Sequence, residues 1–288
     1  MTFKTSPTED TAMRVAYAAP TKIIEPNSLQ ALTQVFSVPE RILLTAEKRS
    51  QLESASRFEH RYPEGTLAAW TFGVGPRVVL VHGWSSRGAH LLAFVGPLIE
   101  AGYSVTLFDA PAHGDSTGEA TSIVHVGRAL LSLCAALGDV QAIVAHSAGS
   151  AASLWAFNHG LRVERSVHLS GPSSLTAMLR GMAANFGLIG EEARPFTAWV
   201  EAFIGYPPSE LDLEALKEGL HHSGLILHDI EDRVVPYAAS EQLHRAWPGS
   251  RLVALQGLGH KRLLGAHSVV TEVTQFITGP HRSMAERS

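Results

Sequence analysis

The stretch that most constrains this chain is Ala-Ile-Val-Ala-His-Ser-Ala-Gly-Ser-Ala, residues 142–151. An apolar run at 142–145, short enough for a buried strand, meets Ser147, and small residues then open a helix predicted over 148–159. Strand, sharp turn and helix with a hydroxyl at the apex form an elbow. There the serine takes a strained backbone conformation with its oxygen exposed, and its neighbours must be small enough for helix and strand to approach. Ala145 and Gly149, two before and two after Ser147, satisfy that need. The pattern is Gly-x-Ser-x-Gly with alanine in the first place. Ser147 is therefore a candidate nucleophile, although serines between small residues also occur in ordinary strand-to-helix turns.

The residues around the elbow repeat its rhythm. Short strand-like runs at 57–62 and 67–72 precede a β-branched run at 78–81. Helical spacing follows at 89–101, a strand at 104–109, a helix at 123–137 closed by Gly138, the elbow strand and helix, and a strand at 166–170. After residue 220 come a strand at 224–228, a helix at 238–247, a strand at 252–255 and a helix near 268–276. Buried strands alternating with helices predict an α/β fold, a mostly parallel sheet covered on both faces, with ligands bound beyond the carboxyl ends of the strands.

Two regions depart from this. Residues 173–220 hold three helical patterns with no strand between them, which predicts an inserted helical cap. Met178, Met182, Phe186 and Trp199 lie on its apolar stripes and are the candidates for lining a substrate cavity, against the alternative that they only pack on the body. Residues 1–38, punctuated by Pro7, Pro20 and Pro26 and followed by Pro39, read as an arm, and helical spacing then predicts a helix from Pro39 to about Leu52. The expected organisation is an arm and helix over 1–55, a core over 56–171 and 221–288, and a cap over 172–220.

Four segments at or after strand ends carry the polar chemistry. In Val81-His82-Gly83-Trp84-Ser85 the glycine lets the backbone turn, so that amide N–H groups can point at a bound oxygen. Residues 109–116 include Asp109 and His113 but are rich in turn formers, and are read as a hydrogen-bonded structural loop. Residues 228–236 offer Asp229, Glu231 and Asp232 to orient a histidine, and Gly257-Leu258-Gly259-His260 places a histidine on a glycine-bounded loop.

Together, His82-Gly83-Trp84, residues 109–116, Ala145-His146-Ser147-Ala148-Gly149, residues 229–236 and Gly259-His260 resemble the α/β-hydrolase fold enzymes, in particular bacterial esterase-like members with a helical cap. The likeness spans about residues 56–278, and the order serine, acid, histidine is that of the family. It implies an α/β-hydrolase fold with Ser147 as nucleophile, His260 as general base and Asp232 as the orienting acid, at the Asp of the family's Gly-x-x-Asp-x-x-Val-Pro loop. Asp229 stands where that loop has glycine, and Ala112 replaces a loop glycine. The resemblance also implies an oxyanion hole from the backbone N–H groups of Trp84 and Ala148, and acyl rather than haloalkane or epoxide chemistry, because those branches use an aspartate at the elbow.

The expected activity is carboxylic ester hydrolysis through an acyl-enzyme. The alternatives are acyl transfer, thioester or carbon–carbon bond cleavage with the same triad, or a non-catalytic small-ligand module. No cofactor or metal is expected: adjacent His221 and His222 face different ways, no third ligand stands at metal spacing, and the single Cys134 lies in an apolar helix. A net charge of -4 gives no reason to expect a nucleic-acid partner. No apolar run approaches the ~20 residues that span a bilayer. The first ten residues lack the pattern of a signal peptide, so a cytoplasmic location is expected.

Overall fold

The computed structural model describes residues 29–280; residues 1–28 of the expected arm and residues 281–288 lie outside the described residues. The chain opens with helices α1 (Leu29–Ser37) and α2 (Ala46–Glu53), and continues through strands β1 (Ser56–Tyr62), β2 (Gly65–Phe72) and β3 (Arg77–Val81). A 3-10 segment, Gly88–Phe94, leads into helix α3 (Val95–Glu100). The long helix predicted over 89–101 is thus α-helical only in its second half. Starting at Val95 puts Pro97 in the first turn, where its missing N–H leaves no broken bond. Next come β4 (Ser104–Phe108), α4 (Ile123–Leu137), β5 (Val140–His146), α5 (Ala148–Asn158) and β6 (Arg165–Leu169).

Between β6 and the next strand stand three helices, α6 (Leu175–Asn185), α7 (Arg194–Ile204) and the short α8 (Leu213–Leu216). The alternation resumes with β7 (Ser223–Asp229), α9 (Tyr237–Ala246), β8 (Ser250–Leu255), the short α10 (Gly259–Arg262) and α11 (His267–Thr278). The sheet order is β1-β2-β4-β3-β5-β6-β7-β8. Pairs β1/β2 and β2/β4 are antiparallel, and every pair from β4 to β8 is parallel.

The central strands are buried on both faces, and their two-residue period sends alternate side chains into two separate cores. Val79, Val81, Ile143 and Ala145 join the core under α4, α5 and the inserted helices. Val78, Leu80, Ala142 and Val144 join the core under α3 and α11. Burying each of the larger ones stabilises the fold by about 1.5–3 kcal/mol.

Residues 38–45 run as an extended strap instead of the helix predicted from Pro39. The Glu40 N–H donates to Ser85 Oγ at 3.0 Å, and the Arg41 guanidinium donates to the carbonyls of Gly114, Ser116 and Gly118 at 2.6, 3.0 and 2.7 Å. Arg87 donates to the Ile42 carbonyl at 3.2 Å. These bonds hold the strap to the body, and α2 starts only where Thr45 Oγ1 accepts the Lys48 N–H. At its other end the strap is anchored by α1, whose Phe36 meets Phe196, Trp199 and Phe203 edge-on at centroid distances of 5.9, 6.3 and 6.5 Å.

Candidate active site

The elbow has the strain that its sequence predicts. Ser147 sits at φ 53°, ψ -123°, between the end of β5 and the start of α5, a conformation that costs a non-glycine residue about 1–3 kcal/mol. Close approach explains the small neighbours. A Cβ on Gly149 would lie 2.4 Å from the His82 carbonyl oxygen and 2.6 Å from that of Val81. Ala145, in the first glycine position, is fully buried in the core under α5.

Three polar side chains converge here from three strand ends. Ser147 Oγ lies 2.9 Å from His260 Nε2, and His260 Nδ1 lies 2.7 Å from Asp232 Oδ2. The histidine is brought over by a loop whose Gly257 and Gly259 take left-handed φ values of 78° and 61°. Asp232 is oriented by its own turn, because Oδ1 accepts the N–H groups of Val234 and Val235 at 2.7 and 3.1 Å. Burial by itself would raise its pKa, yet bonds from His228 and His260, the charge of His260 and the Val234 amide hold it well below the usual carboxylate range. A carboxylate therefore faces Nδ1 near neutral pH, and a hydrogen on Nδ1 leaves Nε2 free to accept the serine proton.

Glu231 is exposed, and Asp229 and Asp109 are occupied elsewhere. Asp229 is fully buried and accepts the backbone N–H groups of Glu231 and Leu258, tying the end of β7 to the loop that carries His260. Asp109 accepts from the Arg87 guanidinium at 2.8 Å and from the Gly88 and Asp115 amides at 2.9 and 2.8 Å. His113 Nε2 accepts the Ser85 N–H at 3.1 Å, and its Nδ1 donates to the Pro111 carbonyl at 2.9 Å. Both bonds use the neutral ring, in keeping with burial that pushes its pKa down to about 4. Asp109 and His113 thus build the loop read from the sequence as structural. His222 Nε2 is bonded to Ser166 Oγ at 2.8 Å, and among the described residues no group of three His, Cys, Asp or Glu side chains is placed to hold a metal ion.

Beside the elbow, His82 Nδ1 donates to the Gly83 carbonyl at 2.7 Å while Nε2 accepts the Ala110 N–H at 2.8 Å, fixing the turn that carries Trp84. That turn passes so close that a Cβ on Gly83 would lie 2.9 Å from Ser147 Cβ. One further histidine, His146, takes part beside the nucleophile. His146 Nε2 donates to the His260 carbonyl at 2.9 Å, with the two rings 4.9 Å apart. Burial first, and then the charge of His260, push its pKa down to about 3. It is a neutral brace under the loop, and the signal for it was its position next to Ser147.

Ser147, His146 and His260 open onto a cavity of about 1380 Å³. Its far wall differs from the expectation. Met178, Met182, Phe186 and Trp199 do not line it; they pack against the core under α4 and α5, where Trp199 stacks on Phe203 at 5.0 Å. The wall comes from Gln34, Val35, Val38 and Pro39 of α1 and the strap, and from Lys48 and Gln51 of α2. Val38, Pro39 and Glu40 of the strap line the same cavity as Ser147, and no residue of the inserted helices is among its lining residues. The helical spacing of Leu29, Leu32 and Phe36 was the available clue to α1.

The sequence profile described as "alpha/beta hydrolase fold" matches residues 76–205, and that described as "TAP-like protein" matches residues 206–288. The chain belongs to the α/β-hydrolase superfamily. No curated protein matches it in sequence. Among solved structures, an esterase of Pyrococcus furiosus superimposes on this α/β-hydrolase with a TM-score of 0.65 at 18% identity, over 83% of this chain and 98% of its own. An esterase of Exiguobacterium antarcticum gives 0.56 at 20% identity, over 75% and 96%. A bromoperoxidase of Bacillus anthracis gives 0.57 at 19% identity, over 78% and 100%. At these identities the likeness is one of fold, and the chemistry of this α/β-hydrolase has to be argued from its own side chains. No helix among the described residues is long and apolar enough to cross a membrane.

Proposed function

We propose that this protein is a serine hydrolase that cleaves carboxylic esters of small molecules. The observation that carries the reading is the continuous relay from Ser147 Oγ through the His260 ring to Asp232, with its serine end open to the cavity. In this reading Ser147 Oγ attacks the ester carbonyl carbon while His260 Nε2 takes the hydroxyl proton. The backbone N–H groups of Trp84 and Ala148 receive the developing oxyanion. Collapse of the tetrahedral adduct breaks the bond to the alkoxy group, which leaves with the proton from His260. Water then attacks the acyl-enzyme, giving its proton to the same nitrogen, and the acid departs as Ser147 recovers its hydrogen. Asp232 stays ionised and stabilises the imidazolium that forms in each half.

In the same reading residues 172–220 form a cap that acts indirectly, by bracing α1 and the strap. A p-nitrophenyl ester assay with covalent labelling by a fluorophosphonate tests the assignment. The wild-type chain is expected to turn over the ester and to be labelled at Ser147. Ser147→Ala is expected to lose both, with turnover reduced on the order of 10⁴-fold or more. Retained ester cleavage by that variant would defeat the reading, and an intact but unlabelled wild type would favour a small-ligand module.

A further inference from the structure

The charged side chains of the cavity wall are unevenly matched. Lys48 from α2, and Lys261 and Arg262 directly after His260, face it together with one carboxylate, that of Glu40 on the strap. Some cations elsewhere on the described surface form ion pairs, Arg128 with Glu64, Arg194 with Glu191, Lys217 with Glu214 and Arg251 with Glu272, and exposed arginines such as Arg49, Arg61 and Arg180 do not. Among the described residues neither Lys48 nor Lys261 has a carboxylate within 4.0 Å. Arg262 is committed differently, donating to the carbonyls of Leu258 and Gly257 at 3.1 and 2.6 Å. Two lysines that line the cavity together with Ser147 are left without a carboxylate in contact.

They act on one point in that space. His90 also lines the cavity, with its Nδ1 2.7 Å from Ser86 Oγ. Its charged form is disfavoured by burial first, and then by Lys48, Lys261 and Arg87, which bring its pKa down to about 4. Both lysine fields therefore meet at His90, which stays neutral near pH 7 and leaves the ammonium groups as the cations there. Lys48 is itself half-buried, and the loss of water around it lowers its pKa despite the opposing charge of Glu47. A desolvated ammonium without a fixed partner is costly unless something supplies the anion. The intervening wall is apolar, with Val35, Val38, Leu92 and Leu264 among its residues.

We infer that the cavity binds the anionic end of its substrate between Lys48 and Lys261, so that the preferred ester carries a carboxylate or a phosphate-like group some methylenes away from the carbonyl attacked by Ser147. The inference rests on the ester-hydrolase reading for the carbonyl and stands on its own for the anion. Apolar side chains contact the methylene chain, and the two ammonium groups receive the charge.

The test uses the full chain carrying Ser147→Ala, so that binding is read without turnover. Calorimetric titrations compare monomethyl adipate, which has one free carboxylate, with dimethyl adipate, which has none; methyl 5-phosphonopentanoate provides a phosphate-like end. The monoanion is expected to bind about tenfold more tightly than the diester. Adding Lys48→Met and Lys261→Met together should abolish the preference, and 0.5 M salt should weaken it. Lys261→Glu alone, at an exposed position where folding is not at stake, should also reduce it. Tighter binding of the phosphonate than of the carboxylate would assign the site to phosphate-like groups, and the reverse order to carboxylates. Equal affinity for monoester and diester, or a preference that survives loss of both lysines, would overturn the inference. Turnover of monomethyl adipate by the wild type is read separately. If it is absent while the anion preference holds, the ester-hydrolase reading fails and the anion site remains.

Discussion

Replacing Asp232 by Asn keeps the shape of the side chain and inverts its hydrogen bonding, and the consequence can be worked out atom by atom. Oδ1 accepts the amides of Val234 and Val235, so the carboxamide oxygen must take that place and the NH2 group must take the place of Oδ2. That position lies 2.7 Å from His260 Nδ1 and 3.3 Å from His228 Nε2, whose hydrogen is donated to the Val235 carbonyl at 2.9 Å. An NH2 facing Nδ1 donates to it and forces the ring hydrogen onto Nε2, where it points at Ser147 Oγ and cannot take the serine proton. The expected loss in kcat is on the order of 10⁴-fold, about 5.5 kcal/mol of transition-state stabilisation. Asp229→Asn changes a carboxylate that accepts only backbone amides, so it should cost about 1–3 kcal/mol of stability and at most tenfold in kcat. Ester hydrolysis and the rate of fluorophosphonate labelling, measured on variants shown by urea unfolding to be folded, decide the matter. A larger kinetic loss for Asp229→Asn than for Asp232→Asn, or an Asp232→Asn variant within tenfold of wild type, would refute the assignment of the acid.

His146→Leu removes the donor to the His260 carbonyl while keeping the volume, and is expected to lower kcat about tenfold with KM within twofold; restoration by His146→Gln, which keeps a donor, separates bracing from packing. Phe36→Ala empties the edge-on aromatic contact that anchors the strap, so it should cost about 3–5 kcal/mol in urea unfolding and raise KM, because Val35 and Val38 line the cavity. Stability should fall steeply on acidification. Burial depresses His146 and His168 to about 3 and His113 to about 4, against about 6.5 in the unfolded chain, so the unfolded state takes up protons first as pH drops. The stabilisation is fully present above pH 6.5 and is lost as pH falls toward 4, by up to about 4 kcal/mol per pH unit for the three together. Asp109, raised by burial against the opposing Arg87, acts in the other direction at a lower pH. A melting temperature that stays level between pH 6.5 and 4.5 would show that these rings are not buried and neutral.

The parts of the site that sequence made legible are those where backbone geometry and chemistry demand the same residue. Ser147 needs small neighbours because helix and strand meet within contact of the His82 carbonyl, and His260 needs flexible neighbours because its loop uses left-handed backbone at Gly257 and Gly259. Such requirements are local and leave a pattern. Among Asp229, Glu231 and Asp232 the residues by themselves leave the choice open, and only the likeness to the family's loop points to Asp232. Asp229 and Asp232 both accept backbone amides, and only the direction of the third bond, toward His260 or toward Leu258, separates them. Residues 38–45 were misread for a related reason. Their helical spacing is real, but three carbonyls across the chain at 114–118 compete for the Arg41 guanidinium, and the strap follows those bonds rather than its own propensity.

The same competition explains why the aromatic stripes of the inserted helices do not face the substrate cavity. A stripe such as Phe196, Trp199 and Phe203 records only that something apolar must cover it, and the periodicity is identical whether the cover is a ligand or another helix. Here the cover is Phe36 of α1. Once Phe36 fills that site, α1 lies between the insertion and the cavity, and its Gln34 and Val35 become the wall. In the ester-hydrolase reading, the residues that would set substrate selectivity therefore belong to the N-terminal segment and not to the insertion. Exchanging Val35 or Val38 for a larger residue should therefore shift acyl-length preference, while exchanging Met178 or Met182 should change stability and leave that preference where it was.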